Sequence, residues 1–538
     1  MLRRHGSRTV AAVLLTVALT SGVAASTATA TPATDPALSQ LVQTLDGILA
    51  NSLLNGSFAA AVVRDAETGE TLYDRLGDRR FTPASNTKFL TSAAAMSILG
   101  PDYRFTTDVL TTGKKSGSLL AGHVYLRGNG DPTALAADYD GLAAQLRAQG
   151  ITTIVGDLVG DDTYFDDERL GTAWAADDEG AYYSQEASAL TLAPDTDYDN
   201  GNVLVVAGPG ANPGDKPTVT ITPPAAATYV TVVNNGATIE NGGTDTLGIT
   251  RQHGTNNIVI AGDVPAGGGT TTEWIAVQDP AGYATTVFRE ALAAQGIKLI
   301  GRTRWGTATP DGARVLAAHQ SMTLSQLMIP FLKLSNNGHA EALTKAMGHK
   351  VSGQGTWPAG LAAIRAYLTA HGMTSSTFRQ SDGSGLSRFD LIPPGQLTNL
   401  LISVRSEPWF DAWYNALPIA GNADRFTGGT LRSRMRNTPA ANNVHAKTGS
   451  LTGVSALSGY VTSADGRKLV FSVIENNYLA SAASIRASIE DAIAVALASW
   501  HSDGSAAPLA RIAPPQMQAP DAAGDSDLEC AWLKPVLC

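Results

Sequence analysis

The chain has 538 residues, of which 43% are hydrophobic and 16% are charged, and this balance excludes a wholly disordered protein and predicts several packed domains. The net charge is −10 and no run of Lys and Arg offsets it, which argues against a nucleic-acid partner held by a basic stripe. Both cysteines, Cys530 and Cys538, lie close to the C-terminus, so the main body has neither a cysteine zinc site nor a disulfide framework.

The first thirty residues have the pattern of an export signal. Arginines precede an apolar run at residues 10–19, and Ala28-Thr29-Ala30 offers small residues for cleavage. The apolar run is shorter than the roughly 20 residues of a membrane-spanning helix, which makes an uncleaved anchor the weaker alternative. We therefore predict a signal peptide at residues 1–30 and an exported chain without a transmembrane anchor, located in the cell wall, the periplasmic space or the extracellular medium. There Cys530 and Cys538 can oxidise to close a small loop.

Two strands and a helix are predicted at the start of the mature chain. Residues 58–64 and 71–75 are predicted strands around a turn at Glu67-Thr68-Gly69. A helix is predicted from about Ser85 to Leu99, where Gly100-Pro101 ends it.

The middle of the chain has a different character. Residues 142–151 are predicted to form a helix that runs into a strand, and residues 290–297 repeat this pattern. Between them, residues 202–277 are rich in Gly, Thr, Val and Asn and predict short strands with many turns. We interpret the two helix–strand units as halves of one small α/β domain that encloses an all-β insert. Three consecutive domains are the simpler alternative.

The C-terminal part returns to strands and helices. Residues 455–462 and 468–474 are predicted strands joined through Asp465-Gly466, a strong hairpin signal, and a long helix is predicted at residues 480–500. Both ends of the chain can therefore build one α/β layer structure. The predicted divisions are a discontinuous domain at 36–100 and 309–500, a small α/β domain at 101–190 and 281–308, an all-β insert at 191–280, and a flexible tail at 501–538.

Ser85-Asn86-Thr87-Lys88 stands at the start of the first predicted helix. Residues i and i+3 share a helical face, so the Lys88 amine lies within reach of the Ser85 hydroxyl. A serine becomes an effective nucleophile when a base takes its proton, and an amine does this only if its pKa falls well below ~10.4. Burial, a helix N-terminus and a second cation would each lower that pKa. Alone, the motif also fits an exposed helix start capped by serine.

Two further short motifs follow along the chain. Ser335-Asn336-Asn337 is typical of a polar loop, and its functional interpretation is a hydroxyl that passes a proton beside an amide that binds a peptide. Lys447-Thr448-Gly449-Ser450 enters the C-terminal hairpin, where Thr448 and Ser450 share one strand face and Gly449 leaves room for a substrate backbone. Alone, this motif also fits a strand edge protected by lysine.

Together, and in this order, the three motifs match the set used by penicillin-binding proteins and serine β-lactamases. The insert between the first and second motifs is much longer than in class A β-lactamases, and this length restricts the families that the chain can resemble. The chain resembles the D-alanyl-D-alanine carboxypeptidase/endopeptidase family of class C low-molecular-mass penicillin-binding proteins, in which extra domains lie between these motifs. The similarity runs from about residue 40 to residue 500. Further matching segments are 127–132, 382–388, 417–421 and 429–432.

The resemblance implies an α/β (α+β) fold, with an antiparallel sheet covered by helices in a penicillin-binding, β-lactamase-like transpeptidase domain. It also implies a serine DD-peptidase that hydrolyses the terminal D-Ala-D-Ala bond of peptidoglycan stem peptides, with cleavage of cross-links left open. β-Lactam antibiotics would act as acylating inhibitors. No cofactor and no metal are expected.

The resemblance also implies catalytic roles for motif residues. Ser85 resembles the acylated nucleophile, Lys88 its general base, and Ser335 the relay that passes a proton towards the leaving amine. The backbone N–H groups of Ser85 and Ser450 would form the oxyanion hole. We expect Lys88 to be the more buried of the two site lysines, with its pKa lowered by Lys447.

Substrate binding is implied for the remaining motif residues. Asn337 would bind the substrate's amide, and Lys447 would set the electrostatics around the relay serine. Thr448 and Ser450 would bind the terminal carboxylate, with Gly449 between them.

Other functional classes leave different patterns. A serine β-lactamase shares the acylation residues but also needs a positioned water, and the chain has no Glu-x-x-Leu-Asn segment of the class A kind. A non-catalytic wall-binding protein would have lost a catalytic residue, whereas all three motifs are complete. A metallopeptidase is disfavoured because no His-Glu-x-x-His occurs.

Overall fold

The computed structural model describes residues 35–503. The predicted signal peptide and both cysteines, Cys530 and Cys538, lie outside the described residues. Between residues 35 and 503, no helix combines the length and the apolar character that crossing a bilayer requires.

The N-terminal segment begins with a capped helix. Asp35 accepts a hydrogen bond from the N–H of Ala37, which starts the helix, and the leucines at positions 41, 45 and 49 place one face in the core. The two predicted strands are present, and the predicted helix at Ser85 starts as a 3-10 turn, Ala84–Thr87. The elements of this segment are α1 (Pro36–Leu49), β1 (Phe58–Asp65), β2 (Thr71–Arg75) and α2 (Lys88–Ile98).

The middle of the chain contributes mostly short strands. Its elements are β3 (Thr106–Thr111), β4 (Lys114–Ser116), β5 (Leu119–Ala121), β6 (Val124–Gly128), α3 (Ala136–Ala148), β7 (Thr153–Val155), β8 (Leu158–Asp161), β9 (Asn202–Gly208), β10 (Thr218–Thr222), β11 (Thr231–Asn234), β12 (Ala237–Ile239), β13 (Gly248–Arg251), β14 (Asn257–Ala261), β15 (Asp263–Pro265), β16 (Thr271–Ala276), α4 (Pro280–Ala294), β17 (Lys298–Ile300), β18 (Thr303–Trp305) and β19 (Arg314–Gln320).

The two helix–strand repeats come together in space. β17 pairs in parallel with β7, and β18 pairs in parallel with β8. α3 and α4 also contact each other, and both bury apolar residues in one core with the strands between them. The domain boundaries proposed from the sequence stay a prediction.

The C-terminal part is helical before it returns to strands. Its elements are α5 (Leu324–Lys333), α6 (Asn337–Ser352), α7 (Trp357–Ala370), α8 (Pro394–Ser403), α9 (Phe410–Asn415), α10 (Arg425–Gly428), β20 (His445–Leu451), β21 (Val454–Thr462), β22 (Lys468–Asn476), α11 (Ala482–Ile485) and α12 (Asp491–Ser499).

Both ends of the chain build one five-stranded antiparallel sheet in the order β2-β1-β22-β21-β20. Side chains alternate across it, so Ala60 of β1 enters the core formed with α2 and α5, while Ala61 enters the core formed with α1 and α12. The predicted fold, an antiparallel sheet covered by helices, is confirmed. β20 lies at the edge of the sheet and carries the third motif next to the turn before α2.

The prediction of a single helix at residues 480–500 is wrong in one respect. A five-residue π-helical segment, Arg486–Glu490, separates α11 from α12. Such wide turns accommodate an extra residue where side chains need a particular direction. Here the guanidinium of Arg434 binds the carboxylates of both Glu490 and Asp491, which are adjacent in the chain.

Candidate active site

Ser85 is presented by a turn of unusual backbone geometry. The preceding residue, Ala84, has a φ of 47°, in the left-handed region that residues other than glycine rarely adopt. Gly385 packs against this turn so closely that an added Cβ would lie 1.9 Å from the Ala84 carbonyl oxygen. The turn leads directly into α2, and it leaves Ser85 with 4% of its surface exposed.

The Lys88 amine lies beside the Ser85 hydroxyl. The distance from Lys88 Nζ to Ser85 Oγ is 2.9 Å, and Nζ also donates to Asn337 Oδ1 at 2.6 Å and to the Ser384 carbonyl at 2.8 Å. Burial lowers the pKa of Lys88 from 10.5 to about 7, against the opposing attraction of nearby carboxylates. A neutral amine has two N–H donors and one lone pair. Because the two carbonyl oxygens take the donors, the lone pair is left for the proton of Ser85.

Three buried acids surround this lysine, and none of them was predicted from the sequence as a site residue. The carboxylate of Glu341 accepts hydrogen bonds from the backbone N–H groups of Gly383 at 2.8 Å and Ser384 at 2.9 Å. These bonds position the Ser384 carbonyl that Lys88 contacts. Burial and the nearby Asp382 raise the pKa of both Glu341 and Asp390. Glu341 was detectable in principle, because it lies four residues after the second motif and on the same face of α6.

The second serine and the second lysine also form a pair. Lys447 Nζ donates to Ser335 Oγ at 2.8 Å, and Ser335 has a φ of 64°. Both lysines are completely buried, so the expectation that Lys88 is the more buried of the two is wrong. Burial lowers the pKa of Lys447 well below its usual value, and the charge of Lys88 lowers it further. Contact distance, rather than burial, assigns each lysine to its serine.

Asn337 connects the first motif to the second. Its Oδ1 accepts the hydrogen bond from Lys88, and its Nδ2 donates to the Tyr183 carbonyl at 2.8 Å. Neither contact was predicted from the sequence. The predicted contact between Asn337 and the substrate's amide stays a prediction.

Thr448 and Ser450 share one face of β20, and Gly449 lies between them on the other face. Thr448 Oγ1 donates to Thr430 Oγ1 at 2.9 Å, and Ser450 Oγ accepts from Arg486 at 2.9 Å. The interpretation of Gly449 as room for a substrate backbone is corrected, because an added Cβ would lie 2.6 Å from the Pro83 carbonyl oxygen. The absent side chain lets β20 pack against the protein's own turn before Ser85.

A Gly449→Ala variant should therefore be both less stable and slower to acylate than the wild type. The new methyl group displaces the turn that presents Ser85, so we expect the free energy of unfolding to fall by about 1–3 kcal/mol and penicillin acylation to slow. Urea unfolding and acylation kinetics measure both effects. Gly47→Ala is the matched control, because an added Cβ there meets nothing within 4 Å. Equal behaviour of the two variants would contradict this account of Gly449.

The serines of all three motifs line one cleft that opens to solvent. The middle of the chain supplies part of its wall, and Asn336 Nδ2 fixes that wall by donating to the Asp197 carbonyl at 2.8 Å. Local sequence patterns gave no signal for the wall residues that come from the middle of the chain, Tyr182, Tyr183 and Asp199. The lining residues are Ser85, Tyr182, Tyr183, Asp199, Leu334, Ser335, Asn336, Asn337, Thr448 and Ser450.

Comparisons with known proteins agree with this arrangement. The D-Ala-D-Ala carboxypeptidase 3 (S13) family model matches residues 41–500. The chain is 39% identical over 533 residues to a D-alanyl-D-alanine carboxypeptidase of Actinomadura sp. (strain R39), a match that covers 99% of this chain and 97% of that relative. It is 27% identical over 438 residues to the D-alanyl-D-alanine carboxypeptidase DacB of Haemophilus influenzae, covering 80% of this chain and 88% of the relative.

A solved structure extends the likeness to three dimensions. The crystal structure of penicillin binding protein 4 (dacB) from Haemophilus influenzae superposes with a TM-score of 0.71 at 27% identity, and the match covers 85% of this chain and 97% of that one. The region matched by the family model, residues 41–500, contains all three motifs and every element of the five-stranded sheet. The chain therefore belongs to the D-Ala-D-Ala carboxypeptidase 3 (S13) family.

Proposed function

We propose that this serine carboxypeptidase removes the terminal D-Ala of peptidoglycan stem peptides through an acyl-enzyme on Ser85. The observation that carries the proposal is the 2.9 Å contact between Lys88 Nζ and Ser85 Oγ at the wall of the cleft. A lysine with a pKa of about 7 is a competent general base near neutral pH, because a large fraction of it is uncharged there.

Acylation follows from this pair. Ser85 Oγ attacks the carbonyl carbon of the penultimate D-Ala while its proton passes to Lys88. The backbone N–H groups of Ser85 and Ser450 stabilise the negative charge on the substrate's carbonyl oxygen. The C–N bond then breaks, and the proton returns by way of Ser335 to the leaving amine. Water hydrolyses the ester, which releases the shortened peptide and restores the Ser85 hydroxyl.

The other motif residues bind and orient. Lys447 holds the Ser335 hydroxyl at 2.8 Å, and Thr448 and Ser450 present hydroxyls to the substrate's C-terminal carboxylate. Asn337 faces the cleft and binds the substrate's amide. β-Lactam antibiotics acylate Ser85 because their amide bond occupies the place of the scissile bond. The enzyme works after export, where stem peptides are exposed.

Incubation with defined muropeptides tests the proposal. The purified protein should release one D-Ala from a monomeric stem peptide that ends in D-Ala-D-Ala, as read by the mass of the product. A cross-linked dimer in a parallel reaction shows whether the enzyme also acts as an endopeptidase. An unchanged monomer, or cleavage at another bond, would contradict the proposal.

A further inference from the structure

A positive charge lies directly behind the third motif. Arg486 begins the π-helical segment between α11 and α12, and its Nη2 donates to Ser450 Oγ at 2.9 Å. Ser450 lines the cleft together with Ser85 and Thr448. The Ser450 hydroxyl thus lies between the guanidinium of Arg486 and the cleft that the substrate would enter.

The carboxylates nearest to this arginine are engaged elsewhere. Arg434 binds Glu490 Oε2 at 2.7 Å and Asp491 Oδ1 at 2.6 Å. Burial, followed by the nearby charge of Glu490, raises the pKa of the third acid, Glu475, well above its usual value. Between residues 35 and 503, no carboxylate forms an ion pair with Arg486.

The charge of Arg486 is also poorly solvated. The residue is only partly exposed, and burial, followed by repulsion from Arg434, lowers its pKa against the opposing attraction of Glu490 and Asp491. A partly buried cation without an ion-pair partner costs free energy, and an anion that enters the adjacent cleft recovers part of it. The substrate of a carboxypeptidase carries such an anion, because its C-terminal D-Ala ends in a carboxylate.

We propose that Arg486 determines the enzyme's selectivity for a free C-terminal carboxylate, with the Ser450 hydroxyl as the bridge. Ser450 accepts from the guanidinium, so its own proton is available to the carboxylate, and the charge of Arg486 strengthens that hydrogen bond. The carboxylate then lies against Ser450, which places the scissile bond towards Ser85. This inference rests on the proposed function and adds a residue that none of the three motifs contains.

Paired thioester substrates test this role. N-Acyl-D-alanyl thioesters with a leaving group that ends in a carboxylate are compared with the methyl esters of the same compounds, since the reactive thioester keeps the uncharged partner measurable. The variants are Arg486→Gln, which removes the charge, and Arg486→Lys, which retains it. Arg436→Gln, at an exposed arginine, is the matched control.

We expect Arg486→Gln to lower kcat/KM by about 10- to 100-fold for the carboxylate substrate, the range of a charge-assisted hydrogen bond, and to leave the methyl ester almost unaffected. Arg486→Lys should retain most of the preference, and Arg436→Gln all of it. Equal losses on both substrates would overturn the proposal in favour of a structural role for Arg486. An unchanged preference in Arg486→Gln would also overturn it.

Separate controls address the folding of the variants and the proposed carboxypeptidase activity itself. Should Arg486→Gln fail to fold by circular dichroism, Ser450→Ala makes the same comparison by removing the bridging hydroxyl, and a retained preference for the carboxylate would then overturn the proposal. If the proposed function itself fails, the wild-type enzyme hydrolyses neither thioester. If only the role of Arg486 fails, the wild-type enzyme is active and the variants keep its preference.

Discussion

A Ser85→Ala variant should lose D-Ala release by a factor on the order of 10⁴ or more and should form no covalent adduct with labelled penicillin. The hydroxyl is the atom that becomes acylated, and no neighbouring group of the site is placed to substitute for it. Intact-mass measurement after incubation with penicillin reads the adduct, and peptide mapping of the wild-type protein should locate it at Ser85.

The control for this experiment is Ser406→Ala, at an exposed serine whose hydroxyl donates to the Ser403 carbonyl. It should acylate like the wild type. An adduct of full intensity on Ser85→Ala, or a wild-type adduct on another peptide, would show that the nucleophile has been assigned wrongly.

Lys88→Arg should reduce acylation by about 10²- to 10⁴-fold, the usual contribution of a general base. Arginine keeps the positive charge but does not deprotonate in proteins, so it cannot accept the serine proton. In the wild type, the neutral fraction of Lys88 grows as the pH rises through its pKa of about 7. The acylation rate should therefore increase from pH 6 to pH 8 and then level off, far below the ~10.4 of a free lysine.

Stopped-flow acylation with a chromogenic β-lactam across this pH range measures both effects. Lys350→Arg, at an exposed lysine of α6, is the matched control and should preserve the profile. A Lys88→Arg variant that acylates near the wild-type rate would exclude Lys88 as the base. A wild-type profile that starts to rise only above pH 9 would exclude the lowered pKa.

The sequence predicted what is local and contiguous. The hairpin of β21 and β22 was visible from its alternating residues and its Asp-Gly turn. The serines and lysines of the candidate site were visible because each motif is a run of three or four residues. The interruption between α11 and α12 was not visible from the sequence. It coincides with the contacts of Arg434, which is distant in the chain and binds Glu490 and Asp491.

The residues that support the site were harder to find for the same reason. Glu341 acts through the backbone of Gly383 and Ser384, and Arg486 reaches Ser450 from beyond the last motif. Such contacts are set by packing between elements. The helical spacing of Glu341 shows that it shares a face of α6 with Asn337, whereas no local pattern marks Arg486. The explanation predicted for the missing side chain of Gly449 was wrong, since an added Cβ there would meet the Pro83 carbonyl.

The pairing of β1 with β22 also governs when the enzyme becomes active during its synthesis. β1 is made early, but its partner, and the β21 and β20 strands attached to that partner, are made near the end of the chain. Non-local pairing of this kind folds slowly, because a long loop must close before any contact forms. Until then Lys447 is absent from the site and the turn at Ser85 lacks its packing partner Gly449. A nascent chain, or one truncated before β20, therefore carries Ser85 without the rest of its site.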